Sequence, residues 1–455
     1  MADSAAGPES LVDDLLRLTR GAAPRLVWVA LSGGRDSTVL LHAAARARDL
    51  GLPGELRAVH VDHGLHPESG RWDDRCRSLA DALAVPYRSL RVDAAHDSGE
   101  SPEAAARQAR YAALAGLLAD GDLLLAAHHR DDQAETLLLQ LLRGAGVSGL
   151  AAMPARAALG RGTLLRPWLE RGRDELARYA GRHALQWIDD PSNRDARFDR
   201  NYLRETVMPA LRGRWPSAAR TLARSAAHCA EAAELLAGRA DDDLAAAGVA
   251  NSTSSLPLAP LRALDGARRR NLLRRWLHRQ QAPIPSTAVL GRLCGELLDA
   301  QRDRDPRIAW GGVEARRHRD ALHLIRSPAA EAEAADAVVA WDLRTPLHIG
   351  GGRLEAVAVH GDGVSVAAVD GRAVELRPRR GGESLRPAGD AHQRTLKRLY
   401  QQHGVPRWIR QRLPLLFVDG RLAAVPGLWI DAEFAAGPDE AGRTLRWVDE
   451  ATDFR

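Results

Sequence analysis

The hexapeptide Ser32-Gly33-Gly34-Arg35-Asp36-Ser37 stands between an apolar run, Leu26-Val27-Trp28-Val29-Ala30-Leu31, and a helix-forming stretch over residues 38–46. A strand, a glycine turn and a helix start, in that order, aim backbone N–H groups and the positive end of a helix dipole at one point, where a phosphate binds. The paired glycines let the backbone close on the anion. The spacing is not that of a Walker A loop, which separates its glycines by about four residues and continues into Lys and Ser or Thr. A carboxylate inside a phosphate cradle is repelled unless a cation such as Mg²⁺ bridges the two, so Asp36 points to a metal-assisted nucleotide site. Glycine turns also join strands to helices in α/β proteins without any ligand. The register of Ser, Asp and Ser ahead of a helix is what favours the nucleotide.

Further strand and helix patterns alternate after the loop: 56–62, a helix over about 71–84, 87–92, a helix over about 102–118, and 122–127. This predicts an α/β fold with a parallel sheet covered by helices on both faces. Ligands of such sheets bind at the carboxyl ends of the strands. Three segments fall there: the loop, the stretch 60–65 with His60 and Asp62, and the stretch His128-His129-Arg130-Asp131-Asp132-Gln133-Ala134-Glu135. Asp132 and Glu135 lie three apart where a helix opens, so both carboxylates share one face. Such a pair holds Mg²⁺ or an ammonium group; a plain acid bias that complements the helix dipole would place the same residues there. His128 and His129 have no third strong ligand at zinc-site spacing.

With 455 residues the chain is expected to form two to four domains. The formal net charge of +5 hints at a polyanionic partner, and its location matters more than its sum. Cys76, Cys229 and Cys294 form no CxxC pair, which argues against a disulfide framework or a cysteine-held cluster and favours a reducing cytoplasm. Acids crowd the first fourteen residues where a signal peptide would be basic and then apolar. The uncharged stretch 244–261 is broken by Asn251, serines and prolines, and reads as a loop and not as a membrane span.

From about residue 215 the pattern turns helical. Residues 267–279 carry six arginines among apolar residues, which suits either a solvated helix face or a face turned to RNA. Residues 328–336 read as a linker, and β-like patterns follow from Val338. Ten Arg or Lys residues then fall between Leu376 and Arg412 against two acids, Glu383 and Asp390. This stretch is predicted to hold a helix over 393–403 closed by Gly404, and residues 414–425 a hairpin turning at Asp419-Gly420. Tyr400 and Trp408 are candidates for stacking on RNA bases, beside phosphate contacts from the cations.

These motifs carry a family resemblance. SGGRDS is similar to the pyrophosphate loop of N-type ATP pyrophosphatases. Together with HVDHGL at 60–65, PEAAARQARY at 102–111, HHRDDQAETLLLQLLRGAG at 128–146 and DDPSNRDARFDRNYLR at 189–204, it resembles the tRNA(Ile)-lysidine synthetase family over essentially the whole chain. The resemblance implies a PP-loop α/β domain over 1–214, a mostly helical central domain over 215–327, a connection over 328–370 and a basic α+β domain over 371–455. It implies ATP with Mg²⁺, L-lysine, and a tRNA(Ile) with a CAU anticodon whose wobble cytidine is adenylated and then joined to lysine. A homodimer is compatible with it.

By position, Ser32, Gly33, Gly34, Arg35, Asp36 and Ser37 would bind ATP, with Asp36 on the metal and His60 and Asp62 near the adenosine, as would His63. Asp36, His128, Asp132 and Glu135 would be catalytic, and Asp132, Glu135 and Arg107 would hold lysine, with Arg110 nearby. Arg200 and Arg204, with Asn193 and Asn201, would face tRNA or brace the domain. In the C-terminal region the cations Arg379, Arg380, Arg394, Lys397, Arg398, Arg407 and Arg410 would contact tRNA. The rival readings are a cytidine thiolase, whose relatives use CxxC pairs absent here, and a non-catalytic tRNA-binding relative.

Overall fold

The computed structural model describes residues 10–62, 69–92, 102–188, 195, 197–249, 254–300, 306–326, 338–349 and 351–449. His63 and Asn193 lie outside them. The chain divides into two compact units, 1–235 and 236–455, and the division falls inside the long helix Ala218–Ala246.

The first unit is built on a six-stranded sheet. Its strands are β1 (Leu26–Ala30), β2 (Glu55–Asp62), β3 (Tyr87–Arg91), β4 (Leu123–Leu125), β5 (Arg156–Leu159) and β6 (Gly162–Leu165), in the order β3-β2-β1-β4-β6-β5. All neighbouring pairs are parallel except β5, which hairpins against β6. Successive side chains of a strand point to opposite faces. In β1, Val27 and Val29 accordingly enter one core with Leu40, Leu41, Tyr179 and Trp168, while Leu26 and Trp28 enter another with Leu114, Leu118 and Leu164. The helices α1 (Ser10–Thr19), α2 (Arg35–Asp49), α3 (Ser69–Ala82) and α4 (Pro102–Leu117) alternate with the early strands, and α5 (Arg130–Leu142) follows β4.

The strand order reverses beside β1. The chain runs from β1 outward to β2 and β3, and then returns to place β4 on the other side of β1. The carboxyl ends of β1 and β4 therefore flank a topological switch point, the place where open α/β sheets bind ligands. The turn 31–34 leaves β1 there, and residues 126–129 leave β4 there. Later in the unit a helix runs through Asp199–Tyr202, a π-helical turn Leu203–Val207, and Met208–Arg214. Such turns are uncommon and recur at functional sites.

In the second unit, an antiparallel sheet of Ser255–Pro257, Ala321–Arg326, Val313–His318 and Arg307–Trp310 packs on the helix Gly266–Arg279 through Leu272, Leu273, Trp276 and Leu277. The arginines of that helix are largely turned inward to the protein. Arg268 pairs with Asp243, Arg275 and Arg279 with Asp241, and Arg269 donates to the carbonyls of Leu261 and Leu264. They brace helix against helix, which neither a solvated face nor a face turned to RNA describes for these four, whereas Arg270 and Arg274 of the same helix are exposed.

The stretch 328–336 read as a linker lies outside the described residues, and the β-like pattern expected from Val338 is present as strands. Gly352–His360 pairs antiparallel with Ala441–Asp449 along nine positions, and Val339–Ala340 pairs with Val374–Arg377. The late sequence thus closes sheets that strands after Val338 open, a long-range pairing whose partners local composition does not encode. The hairpin Leu415–Val418 with Arg421–Val425 and the helix Leu396–His403 ending on Gly404 form as predicted, Gly404 taking φ of 66°. Tyr400 and Trp408 are core residues, 0% and 5% exposed, and offer no stacking surface to RNA. Their rings pack under helices, where the apolar face of Leu396–His403 must be buried.

Candidate active site

The phosphate loop is shaped by one glycine in particular. Gly33 has φ of +83°, and a Cβ there would lie 2.5 Å from Ile188 Cδ1 and 3.2 Å from Cys76 Sγ. Its carbonyl accepts the Ile188 N–H at 2.9 Å, which fastens the loop to the segment before residue 189. Ser32 and Ser37 meet hydroxyl to hydroxyl at 2.9 Å, and Ser37 donates to the Gly34 carbonyl at 3.0 Å. Gly34 is the N-cap of α2 and supplies no side-chain acceptor to the first turn. The first-turn N–H groups of that 15-residue helix receive no side-chain cap, an arrangement suited to an external anion. His60, buried at the end of β2, holds the Leu31 carbonyl at 2.8 Å and so braces the strand just before the loop. Asp62 is buried at the same strand end, 3.7 Å from Arg91.

The second half of the site comes from α5. Its N-cap is His129, extended at φ −129°, whose N–H donates to Asp132 Oδ2 at 3.0 Å. The His129 ring is 2% exposed and lies among three carboxylates. Its Nε2 is 3.4 Å from Asp36, and its Nδ1 is 3.4 Å from Asp132 and 3.7 Å from Asp131. Burial disfavours the imidazolium, yet the contacts with Asp36, Asp132 and Asp131 outweigh it and raise the His129 pKa above its usual 6.5. Burial likewise opposes the Asp36 charge, but His129 and then Arg35 hold that carboxyl at about 2.

Asp132 and Glu135 do share a face, and two arginines occupy it. Arg204 donates to Glu135 at 2.8 and 2.9 Å and to Asp132 at 3.1 Å. Arg200 donates to Glu135 at 3.1 Å. Both arginines stand on the helix 199–214, four residues apart, with Arg204 in the π-helical turn. Asp132 is buried, which by itself favours protonation, but His129 and Arg200 keep its pKa low. Asp36, His129, Asp132, Arg204 and Glu135 thus form one chain of alternating charge from the phosphate loop to α5.

His128 faces elsewhere. Burial first, then the cations Arg166, Arg200 and Arg107, with Asp132 opposing them, lower its pKa to about 3, so it is a neutral imidazole at pH 7. An imidazole that weakly basic binds or orients through its neutral ring. Arg107 lies 5.1 Å over the Tyr111 ring. Arg166, at the end of β6, is buried and donates to the Pro154 carbonyl.

Sequence reasoning missed His129 as the link and Arg166 as a neighbour. His129 carried a usable signal, being the last residue before the helix that bears the acids, where an N-cap side chain faces the first turn. Arg166 carried none, because residues 156–165 show no strand pattern strong enough to place it. The i,i+4 spacing of Arg200 and Arg204 against the i,i+3 spacing of the acids was readable as complementary.

Of the C-terminal cations, Arg380, Lys397, Arg398 and Arg407 are exposed, Arg394 pairs with Asp390 at 2.7 Å, and Arg379 and Arg410 pack against Tyr400. Among the described residues no group of three or more His, Cys, Asp or Glu side chains is arranged to hold a metal ion. No helix among them is long and apolar enough to cross a membrane.

Three family models match the chain: a PP-loop domain over residues 9–211, a TilS substrate binding domain over 256–323 and a TilS substrate C-terminal domain over 374–447. The tRNA(Ile)-lysidine synthase of Methylococcus capsulatus is 44% identical over 422 residues, covering 92% of this chain and 95% of its own. That of Coxiella burnetii is 40% identical over 436 residues, 96% of this chain and 95% of its own. That of Alkalilimnicola ehrlichii is 42% identical over 419 residues, 90% of this chain and 91% of its own. With a phosphate loop and an acid cluster meeting at the switch point of a PP-loop domain, and this likeness along nearly its whole length, the chain belongs to the tRNA(Ile)-lysidine synthase family of ATP-using, tRNA-modifying enzymes.

Proposed function

We propose that the chain uses ATP to adenylate the C2 oxygen of the wobble cytidine in a tRNA(Ile) with a CAU anticodon, and then joins free L-lysine to that carbon with loss of AMP. The observation that supports this most is the His129 ring, which touches Asp36 of the phosphate loop on one side and Asp132 of the acid cluster on the other. A nucleotide phosphate and an amine held at those two places share one cleft.

In the first step the C2 oxygen attacks the α-phosphorus and pyrophosphate departs. The N–H groups at the start of α2 and the loop backbone stabilise the charge on the phosphates. Mg²⁺ fits Asp36, whose ionised carboxylate is 31% exposed, because that ion takes most of its ligands from phosphate and water; it would neutralise phosphate charge. His129, protonated more readily than a free histidine, orients Asp36 and keeps it ionised.

In the second step the lysine ammonium gives a proton to Asp132 or Glu135, the neutral amine attacks C2, and the bond from C2 to the AMP oxygen breaks, AMP leaving with that oxygen. An ammonium on Asp132 and Glu135 shares those acids with Arg200 and Arg204. For either arginine to reach tRNA, it exchanges a carboxylate for a phosphate, two partners of similar geometry. The exposed cations Lys397, Arg398 and Arg407 serve the sequence-independent part of tRNA affinity.

Mass spectrometry of tRNA(Ile) incubated with the protein, ATP and L-lysine tests the proposal. The expected product is a wobble cytidine heavier by lysine less water, with AMP and pyrophosphate released in equal amounts. A sulfur mass gain, or tRNA recovered unaltered, overturns it.

A further inference from the structure

Asp131 is buried beside the acids of the site, on the same helix α5, but its carboxylate meets other partners. Its Oδ2 accepts the Arg173 N–H at 2.8 Å, at the start of the helix Arg173–Arg182. Its Oδ1 accepts from the guanidinium of Arg212. The same carboxylate lies 3.7 Å from His129 Nδ1. One buried acid thus joins three helix ends: the start of α5, the start of Arg173–Arg182 and the end of the helix 199–214.

Arg212 completes a stripe along that last helix. Arg200 ends on Glu135, Arg204 on Glu135 and Asp132, Met208 packs in one buried cluster with Ala134, and Arg212 ends on Asp131. As the helix advances from 200 to 212, its partners on α5 step back from 135 to 131. An uninterrupted α-helix would not line these residues up. Twelve residues at 3.6 per turn would leave Arg212 about 120° around the axis from Arg200, turned off α5. The π-helical turn Leu203–Val207, with its i→i+5 bonds, takes up one extra residue and brings the two within about 20°. The π turn is what lets all three arginines reach one face of α5.

Glu135 and Asp132 are buried, so a guanidinium displaced by one helical step leaves a carboxylate bare. We propose that Asp131 and Arg212, acting with the π turn, are positioning residues for the lysine-joining step. They fix the rotation of the helix 199–214, so that Arg200 and Arg204 hold Asp132 and Glu135 in the geometry that receives the amine. Neither residue touches substrate. The inference rests on the reading of the chain as an enzyme that joins lysine to tRNA, and it leaves adenylation to the phosphate loop and Asp36.

Steady-state kinetics of the full-length protein with tRNA(Ile), ATP and L-lysine test it. Misplacing a reacting group by about 1 Å costs up to about a hundredfold, so Arg212→Gln is expected to raise the KM for lysine by roughly ten- to a hundredfold. Pyrophosphate release measured without lysine is expected to stay near the wild-type rate, which a general loss of structure would not allow. Arg212→Lys keeps the ion pair and is expected to restore most of the lysine KM. Deletion of Thr206, an exposed residue of the π turn, rotates Arg200 and Arg204 by about 100° against Arg212 and is expected to give the larger rise. Arg214→Gln, exposed near the end of the same helix, is expected to change neither quantity. A wild-type lysine KM in Arg212→Gln, or pyrophosphate release falling as far as lysine use, overturns the positioning role, and this holds whether or not the deletion variant folds. A wild type that forms no lysine adduct overturns the reading beneath it instead.

Discussion

In the N-terminal site Arg200 and Arg204 end on buried carboxylates, whereas in the C-terminal region Arg379 and Arg410 pack on the Tyr400 ring, Arg379 with Glu383 at 3.7 Å and Arg410 donating to the Val405 carbonyl at 2.7 Å. The residue type is the same and the electrostatic balance differs. One set is neutralised within the fold, and its removal strands buried acids. The other set is held by a ring, a carbonyl and one long ion pair, so fewer buried acids depend on it. An arginine in a basic stretch is therefore informative only once its partner is known. The helix Gly266–Arg279 makes the same point, since Arg268, Arg275 and Arg279 end on Asp243 and Asp241.

The sharpest way to break the comparison is to remove one arginine from each region. Arg204→Gln leaves Glu135, 3% exposed, and Asp132, 8% exposed, without their main partner. Breaking a buried ion pair from one side typically costs about 3–5 kcal/mol. Arg379→Gln is expected to cost about 1 kcal/mol or less, because its ion pair with Glu383 is long at 3.7 Å and the charge removed also repels Arg410. Urea unfolding of both variants measures the contrast; equal losses would erase the distinction.

Asp36→Asn probes the paired region through its chemistry. Loss of a charge that organises the phosphates is expected to slow pyrophosphate release on the order of a hundredfold or more. Affinity for tRNA should hold near the wild-type value, since the C-terminal cations are untouched. Pyrophosphate release at the wild-type rate would remove Asp36 from the reaction.

The smallest effect concerns the two adjacent histidines, which respond to pH in opposite senses. His128, with its pKa lowered from 6.5 to about 3, is neutral in the fold where the unfolded chain is protonated. Stability therefore rises with pH between those values through this group. His129 has its pKa raised above 6.5. Its contribution is full below 6.5 and is lost as pH rises through the folded value. Melting curves from pH 4 to 9 should show His128→Gln flattening the acid limb and His129→Gln the neutral-to-alkaline limb, by a few degrees each, on the order of 2–4 °C per kcal/mol. The same limb flattened by both variants would contradict the separate environments.

Deleting the chain after Asp370, an obvious test of the basic region, would remove Ala441–Asp449 from its nine-position pairing with Gly352–His360. Point substitutions keep that sheet intact and are the better instrument.

Local sequence determined what local physics controls. A run of apolar residues, two glycines and a helix start suffice to specify a strand, turn and helix, and Ser32, Asp36 and Ser37 in register mark the turn as a phosphate loop, because each of these depends on a few neighbouring residues. The same holds for the acids Asp132 and Glu135 on one helix face, for Gly404 at a left-handed helix end, and for the hairpin at Asp419-Gly420. Tertiary structure decided which charges meet. The return of β4 to the side of β1 brings His129 to Asp36, 93 residues away in the chain, and the helix carrying Arg200 and Arg204 closes on acids more than sixty residues earlier. Burial of Tyr400 and Trp408, and the choice of Ala441–Asp449 as the partner of Gly352–His360, depend on contacts of the same long range. Charge acts through space and burial through packing, and neither distance is written in residue spacing once the chain has crossed a sheet.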